Sequence, residues 1–220
     1  TTYNEQKIIW DTGVGIGGPI KKDKLWFFIT PRSWGNQYYI AGNYYNQTPH
    51  TLFYTPDTSR PALYSRNQTD FSGRLTWQAA AEHKVTLTSL NGYQCFCPFA
   101  VEGGTVSPEG AAVYLYDPQR LVTGTWTHPA SSKLLLEAAV AWRSEGVVSE
   151  PAHDDLTATN DISVLETSLN RRYGSHFNNI GPTDYGVTAS QHWLTRASAS
   201  YVTGSHAFKL GITTLSVNEP

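Results

Sequence analysis

Four stretches of the chain share one pattern of apolar and polar positions: an alternating segment, a short polar break, and a second alternating segment. They lie at residues 8–34, 70–94, 119–145 and 191–217. A period of two sends successive side chains to opposite sides of an extended backbone, so each segment predicts a β-strand with one apolar side. After the third break, Leu134, Leu136, Ala138, Val140 and Trp142 are apolar, whereas the series Leu135, Glu137, Ala139, Ala141 and Arg143 carries the charges. Phe71, Gly73, Leu75 and Trp77 alternate with Ser72, Arg74 and Thr76, and Val122, Gly124 and Trp126 with Thr123, Thr125 and Thr127. Near the end of the chain, Phe208, Leu210 and Ile212 oppose Lys209, Gly211 and Thr213. The first unit differs, because Leu25 to Ile29 is a continuous apolar run, as expected of a strand covered on both faces.

The breaks are Lys21-Lys22-Asp23-Lys24, Ala80-Ala81-Glu82-His83, His128-Pro129-Ala130-Ser131-Ser132 and Thr203-Gly204-Ser205-His206. Turns this short join antiparallel neighbours, so the units predict four hairpins, or about eight strands. Much longer connections rich in Gly, Pro, Asn, Asp, Ser and Tyr lie between them, at about 35–69, 95–118 and 146–190. Long structureless connections are unusual in a compact domain, whereas a transmembrane barrel has short turns at one rim and long loops at the other. The expected fold class is therefore all-β, an antiparallel up-and-down transmembrane β-barrel segment, with residues 1–220 forming part of one β-barrel domain and no plug domain present. Trp77, Trp126 and Tyr201 each precede a short turn on the apolar side, where an interface girdle would anchor such a rim.

Composition supports strands over helices. Aromatic residues make up 13% of the chain against 15% charged, with 13 Tyr, 7 Trp and 18 Gly. The formal charge of −2 leaves no basic excess for a phosphate backbone, so no nucleic acid partner is expected. No apolar run is long enough for a membrane-crossing helix, yet barrel strands alternate, and the mean hydropathy of −0.37 is compatible with them. The first residues carry no signal peptide, which leaves a mature chain, a fragment or a cytoplasmic protein.

Candidate chemistry is sparse. Cys95 and Cys97 lack the further ligands zinc needs and the Cys-x-x-Cys spacing of redox sites, leaving a disulfide or two free thiols. Gly13-Val14-Gly15-Ile16-Gly17-Gly18 has the spacing of a dinucleotide loop, but Pro19 and a lysine-rich turn follow where a helix should open. No Gly-x-Ser-x-Gly elbow or His-Glu-x-x-His is present, so no enzyme and no cofactor are expected. His153, Asp154 and Asp155 with Asp161 and Glu166 lack a Gly-anchored calcium loop and read as solvated acids. Asn46 and Asn67 stand in glycosylation sequons. Tyr38, Tyr39, Tyr44, Tyr45 and Tyr54, with Phe53 and Tyr64, offer ring faces beside Asn and Gln, a surface for glycans or peptides or for packing of the loop on itself.

The stretch Gly17-Gly18-Pro19-Ile20-Lys21-Lys22-Asp23-Lys24-Leu25-Trp26-Phe27-Phe28 resembles the TonB-dependent outer-membrane receptors, in particular the Oar-like group. Gly73-Arg74-Leu75-Thr76-Trp77-Gln78, Cys95-Phe96-Cys97-Pro98, Ser107-Pro108-Glu109, Thr125-Trp126-Thr127 and Leu134-Leu135-Leu136-Glu137-Ala138 continue the resemblance in order. It departs at Ile29-Thr30-Pro31, where Pro31 should end or bulge the strand. The resemblance implies a fragment of a large plugged barrel in the cell outer membrane, in contact with outer-membrane lipid. It implies a TonB complex reached through a missing N-terminal part, and an unknown imported ligand, large or scarce. Arg74, Glu137, Arg143, Arg196 and Lys209 would then face the lumen, since charge at mid-bilayer costs about 2 to 4 kcal/mol. The rival expectation is a secreted β-rich glycan- or peptide-binding module using the Tyr-rich loops.

Overall fold

The computed structural model describes residues 3–151, 160–176 and 186–218. In chain order the strands are β1 (Glu5–Gly13), β2 (Ile16–Lys21), β3 (Leu25–Asn46), β4 (Pro56–Ala80), β5 (His83–Phe99), β6 (Ala112–Pro129), β7 (Leu134–Pro151), β8 (Val164–Glu166), β9 (Arg171–Tyr173), β10 (Gly186–Thr203) and β11 (His206–Asn218). Nine of them form one antiparallel sheet in the order β1-β3-β4-β5-β6-β7-β10-β11, with β2 also paired to β3, and β8 and β9 form a separate small ribbon.

The strands pair as an antiparallel meander, but the sheet stays open. β1 and β2 lie at one edge and β11 at the other, and among the described residues no pairing joins the two edges. This overturns the expected barrel. No helix of the described residues is long and apolar enough to cross a membrane.

The expected loops are corrected too. β3 and β4 extend through most of 35–69, β5 and β6 through half of 95–118, and β7 and β10 take both ends of 146–190. Pro31 does not end its strand. Its carbonyl accepts the Val14 N–H at 3.2 Å across the break between β1 and β2, and its absent N–H would point to that same side, so the ladder to β4 loses no donor there.

Cross-strand partners point the same way, so the register assigns two faces. Phe27, Leu75, Leu87, Gly124 and Val140 share one row of the apolar face, beside a row of Leu25, Trp77, Val85, Trp126, Ala138, Ala197 and Ile212. The opposite face carries Thr76, Thr86, Thr125, Ala139, Arg196 and Thr213 in one row and Ser72, Leu90, Leu121, Arg143 and His192 in another. Close packing is confined to the end away from the short turns, where Ile40, Ala62 and Tyr64 meet Val101, Val106 and Ala111.

Glycines act where backbones meet. Gly17 lies so close to Phe27 and Phe28 that a Cβ would sit 2.7 Å from the Phe27 carbonyl oxygen, so the glycine-rich motif serves strand approach and not a dinucleotide. Gly35 has the Trp10 ring over it and the Arg66 carbonyl beside it. Gly35→Ala is expected to destabilise the fold by about 1–3 kcal/mol through overpacking. Denaturant unfolding will measure the loss, and hydrogen exchange should show β1 amides losing protection first.

Candidate functional site

The three connections at the packed end knit into a cap. Residues 47–55 are shaped by Asn46, whose Oδ1 accepts from the Thr48 and Thr55 amides at 3.1 and 2.8 Å while its Nδ2 donates to the Phe53 carbonyl at 3.0 Å. Asn46 is therefore buried and engaged, which removes the first sequon from glycan attachment. Residues 100–111 make two short 3-10 turns, Val101–Gly103 and Pro108–Gly110, held to β3 by Asn43 Nδ2 donating to the Val106 carbonyl at 2.6 Å. The β8–β9 ribbon docks on this segment through Arg172 N–H to Thr105 O at 2.8 Å and Ser107 N–H to Arg172 O at 2.9 Å. Gly110 permits the approach, since a Cβ there would stand 3.2 Å from β9 backbone atoms.

Arg171 is the hub. Its Nη1 donates to Asn43 Oδ1 at 2.9 Å and to the Tyr54 hydroxyl at 3.4 Å, and its Nη2 to the Gly104 and Gly42 carbonyls at 3.1 and 3.3 Å. The guanidinium also lies 4.7 Å from the centre of the Tyr54 ring. Tyr173 Oη donates to the Leu52 carbonyl at 3.2 Å, and His50 meets Asp161 at 2.9 Å. One planar cation thus draws on groups from β3 and two connections at once.

Glu109, inside this cap, is only 1% exposed, and its carboxylate has its own backbone N–H, Ser107 and Asn46 nearby but forms no well-aligned hydrogen bond with them. Burial pushes its pKa up, while Ser107, Asn46 and the charge on Arg171 pull the other way without cancelling it.

Below the cap the polar face continues in cross-strand rows. Asn36, Arg66, Phe96, Tyr114 and Ser149 form the first, and Trp34, Gln68, Gln94, Tyr116 and Val147 the next. Arg32, Asp70, Gly92, Gln119 and Glu145 form the third. The Arg66 guanidinium lies 4.7 Å from the Phe96 ring centre, and Gln68 donates to Gln94. In the first row, Arg66 Nε, Tyr114 Oη and Ser149 Oγ are buried without hydrogen-bond partners. Asp70 is pushed up by burial, against the pull of Arg32.

The charges expected to face a lumen, Arg74, Glu137, Arg143, Arg196 and Lys209, share this polar face, farther from the cap. Lys209 Nζ pairs with Glu137 at 3.0 Å, Ser198 adds a 3.3 Å hydrogen bond to the same carboxylate, and Arg143 pairs with Glu145. Among the described residues the sheet is open, so these side chains line no closed lumen there. Trp77, Trp126 and Tyr201 stand on the apolar face near the turns, with Trp126 Nε1 donating to His83 at 3.2 Å and stacking on His83 and His128.

The Tyr-rich segment is not an open loop. Tyr38, Tyr39, Tyr44 and Tyr45 lie in β3, Tyr38 packs 4.8 Å from the buried Tyr64 ring, and Tyr54 belongs to the Arg171 hub. Cys95 and Cys97 are joined as a disulfide within β5. His153, Asp154 and Asp155 lie outside the described residues, and among the described ones no cluster of His, Cys, Asp or Glu could hold a metal.

Arg171, Asn43 and Arg66 carry no local sequence signal, and Glu109 was marked only as part of Ser107-Pro108-Glu109. Trp34 lies at the end of the first predicted hairpin unit, 8–34, and no sign in the sequence shows that its strand runs on to Asn46.

No family model matches the chain, and no curated protein or solved structure is significantly similar to it. The resemblance to TonB-dependent receptors is corrected on that ground and on the open sheet. The transporter function, the TonB complex, outer-membrane lipid and the imported ligand as partners, and the outer-membrane location rested on that resemblance and fall with it.

The raised folded-state pKa of Glu109 has a defined sign. Its contribution to stability is intact below the ordinary carboxylate value of 4.5 and is lost as pH rises through the folded value. Glu109→Gln is expected to be more stable than the parent at neutral pH, with the gap in melting temperature closing as pH falls below about 4.5.

Proposed function

We propose that the chain is a non-catalytic binding module for an extended, hydroxyl-rich ligand, an oligosaccharide, held on the polar face beneath the cap. One observation carries the reading: the half-buried Trp34 ring and the Gln68–Gln94 amide pair stand next to a row with three unpartnered buried polar atoms, Arg66 Nε, Tyr114 Oη and Ser149 Oγ. Buried polar groups in native proteins nearly always find a partner in protein, water or ligand.

A sugar ring matches both features. Its apolar C–H face packs on an aromatic ring, and its hydroxyls donate to and accept from amides and charged groups. Arg32 lies 4.6 Å from the Trp34 ring centre and donates to Asp11 through Nε and Nη2 at 2.8 and 2.6 Å, so this ion pair, together with Asp70, brings charged groups to the edge of the adjoining row. Binding uses the sheet face and not the tyrosines of a loop. Catalysis is not required of any of these groups.

Titration of the chain with cellohexaose, maltohexaose and chitohexaose tests the proposal, read by tryptophan fluorescence and calorimetry. At least one is expected to bind, and Trp34→Ala to weaken it by about tenfold, the equivalent of about 1.4 kcal/mol of ring contact. Trp77→Ala, on the opposite face, should leave affinity unchanged. Lack of binding by all three sugars, or an equal loss in both variants, would overturn the reading.

A further inference from the structure

In the row that joins Arg32, Asp70, Gly92, Gln119 and Glu145 across five strands, a glycine stands at the centre. A Cβ at Gly92 would sit 2.8 Å from Asp70 Oδ1 and 3.3 Å from Gln119 Oε1, so oxygens from both neighbouring strands lean over the bare backbone toward one spot. Among the described residues, neither oxygen accepts a hydrogen bond. Two acceptors aimed at one place, with no donor between them, mark a position for a donor from outside the chain.

The charges along this row have one sign in excess. Arg32, the cross-strand partner of Asp70, is engaged by Asp11 through both of its hydrogen bonds and makes no ion pair with Asp70. At the other end of the row, Glu145 is held by Arg143. Each of these guanidinium groups is matched by one carboxylate, and Asp70 remains as the unmatched acid. Burial pushes its pKa up and Arg32 offsets this only in part, so a cation placed beside it would favour its charged form. Trp34 stands diagonal to Asp70 across the β3–β4 pair, about 7–8 Å away between Cα atoms, near enough for one sugar ring to touch both.

We propose that Asp70 and Gln119 form a subsite for an ammonium group, and that the ligand of the polar face is an oligomer of an amino sugar with free amines, such as glucosamine. This rests on the reading of that face as a sugar-binding surface and adds the chemical class of the sugar. With a ring stacked on Trp34, an ammonium on that ring or the next donates to Asp70 Oδ1 and Gln119 Oε1 at once, which a hydroxyl with its single hydrogen does not do. The ammonium also supplies the positive charge that Asp70 lacks, and a charge-assisted hydrogen bond is about twice as strong as a neutral one. An acetamide in the same place is uncharged, bulkier and carries one N–H. Gly92 is the positioning residue, because a side chain there would push the carboxylate aside.

Calorimetric titration with three hexamers of one backbone tests this: those of glucosamine, N-acetylglucosamine and glucose, the last being cellohexaose, which place an ammonium, an acetamide or a hydroxyl on the same carbon. At a pH where the amine is charged, the glucosamine hexamer is expected to bind about tenfold tighter than cellohexaose, and added salt should shrink that ratio. Asp70→Asn and Gly92→Ala should bring the ratio close to one, whereas Glu82→Gln, in the β4–β5 turn, should keep it, with melting curves showing that each variant folds. Equal affinity of the parent chain for the glucosamine hexamer and cellohexaose overturns the subsite while the sugar-binding surface stands. A preference that Asp70→Asn retains overturns it in the same way. Lack of binding by all three hexamers overturns both the subsite and the surface.

Discussion

A sheet one layer thick has no opposing sheet to pack against over most of its area, so its order depends on the continuity of the hydrogen-bonded ladder. In this protein the short turns at 22–24, 81–82, 130–133 and 204–205 set that ladder. From β10 to β11 it runs without a shift, and from β10 to β7 likewise. A slip of one residue would exchange the Leu- and Phe-bearing face for the one carrying Arg74, Arg143 and Arg196, which makes the register the condition for everything built on either face.

Irregularity is concentrated in the other half. Shifts at Tyr39/Tyr44, Gly92/Gln94, Phe96/Phe99 and Tyr116/Gln119 lie toward the cap, whereas those at Pro19/Lys21 and Gln78/Ala80 sit beside short turns. A bulge bends its strand and re-aims the side chains beyond it. Here those side chains include Ile40, Asn43 and Tyr114, which meet residues 100–111 or lie buried beside them. The molecule thus has a regular half that fixes two faces and a bulged half that folds its connections over the polar one.

The same division decides what the sequence revealed. Near the turns, alternation was legible residue by residue, as in 71–77 and 134–143, and the register puts Arg74, Glu137, Arg143, Arg196 and Lys209 on one face and Trp77, Trp126 and Tyr201 on the other. Closure was not legible, because a strand alternates in the same way whether its sheet curls onto itself or ends at two edges. In the bulged half the parity is broken and Gly, Pro and Tyr dominate, so strand extensions such as 35–46 and 56–69 read as loop. Arg171 was beyond local reading altogether: its partners Gly42, Asn43, Tyr54 and Gly104 lie far away in the chain, and no periodicity marks such a contact.

The cap shows why a half-buried cation and a buried acid can sit close together without forming an ion pair. Arg171 takes two backbone carbonyls, an amide oxygen and a hydroxyl, all neutral acceptors fixed by strands or turns. Turning toward Glu109 would exchange these for a single buried carboxylate, and the cost of keeping both members of a buried ion pair charged away from water commonly outweighs their attraction. With its pKa raised by burial, Glu109 holds its proton to higher pH, which lowers the demand for a counter-ion. The guanidinium therefore remains available to gather the connections, and their position fixes the upper boundary of the polar face on which Arg66, Tyr114 and Ser149 stand.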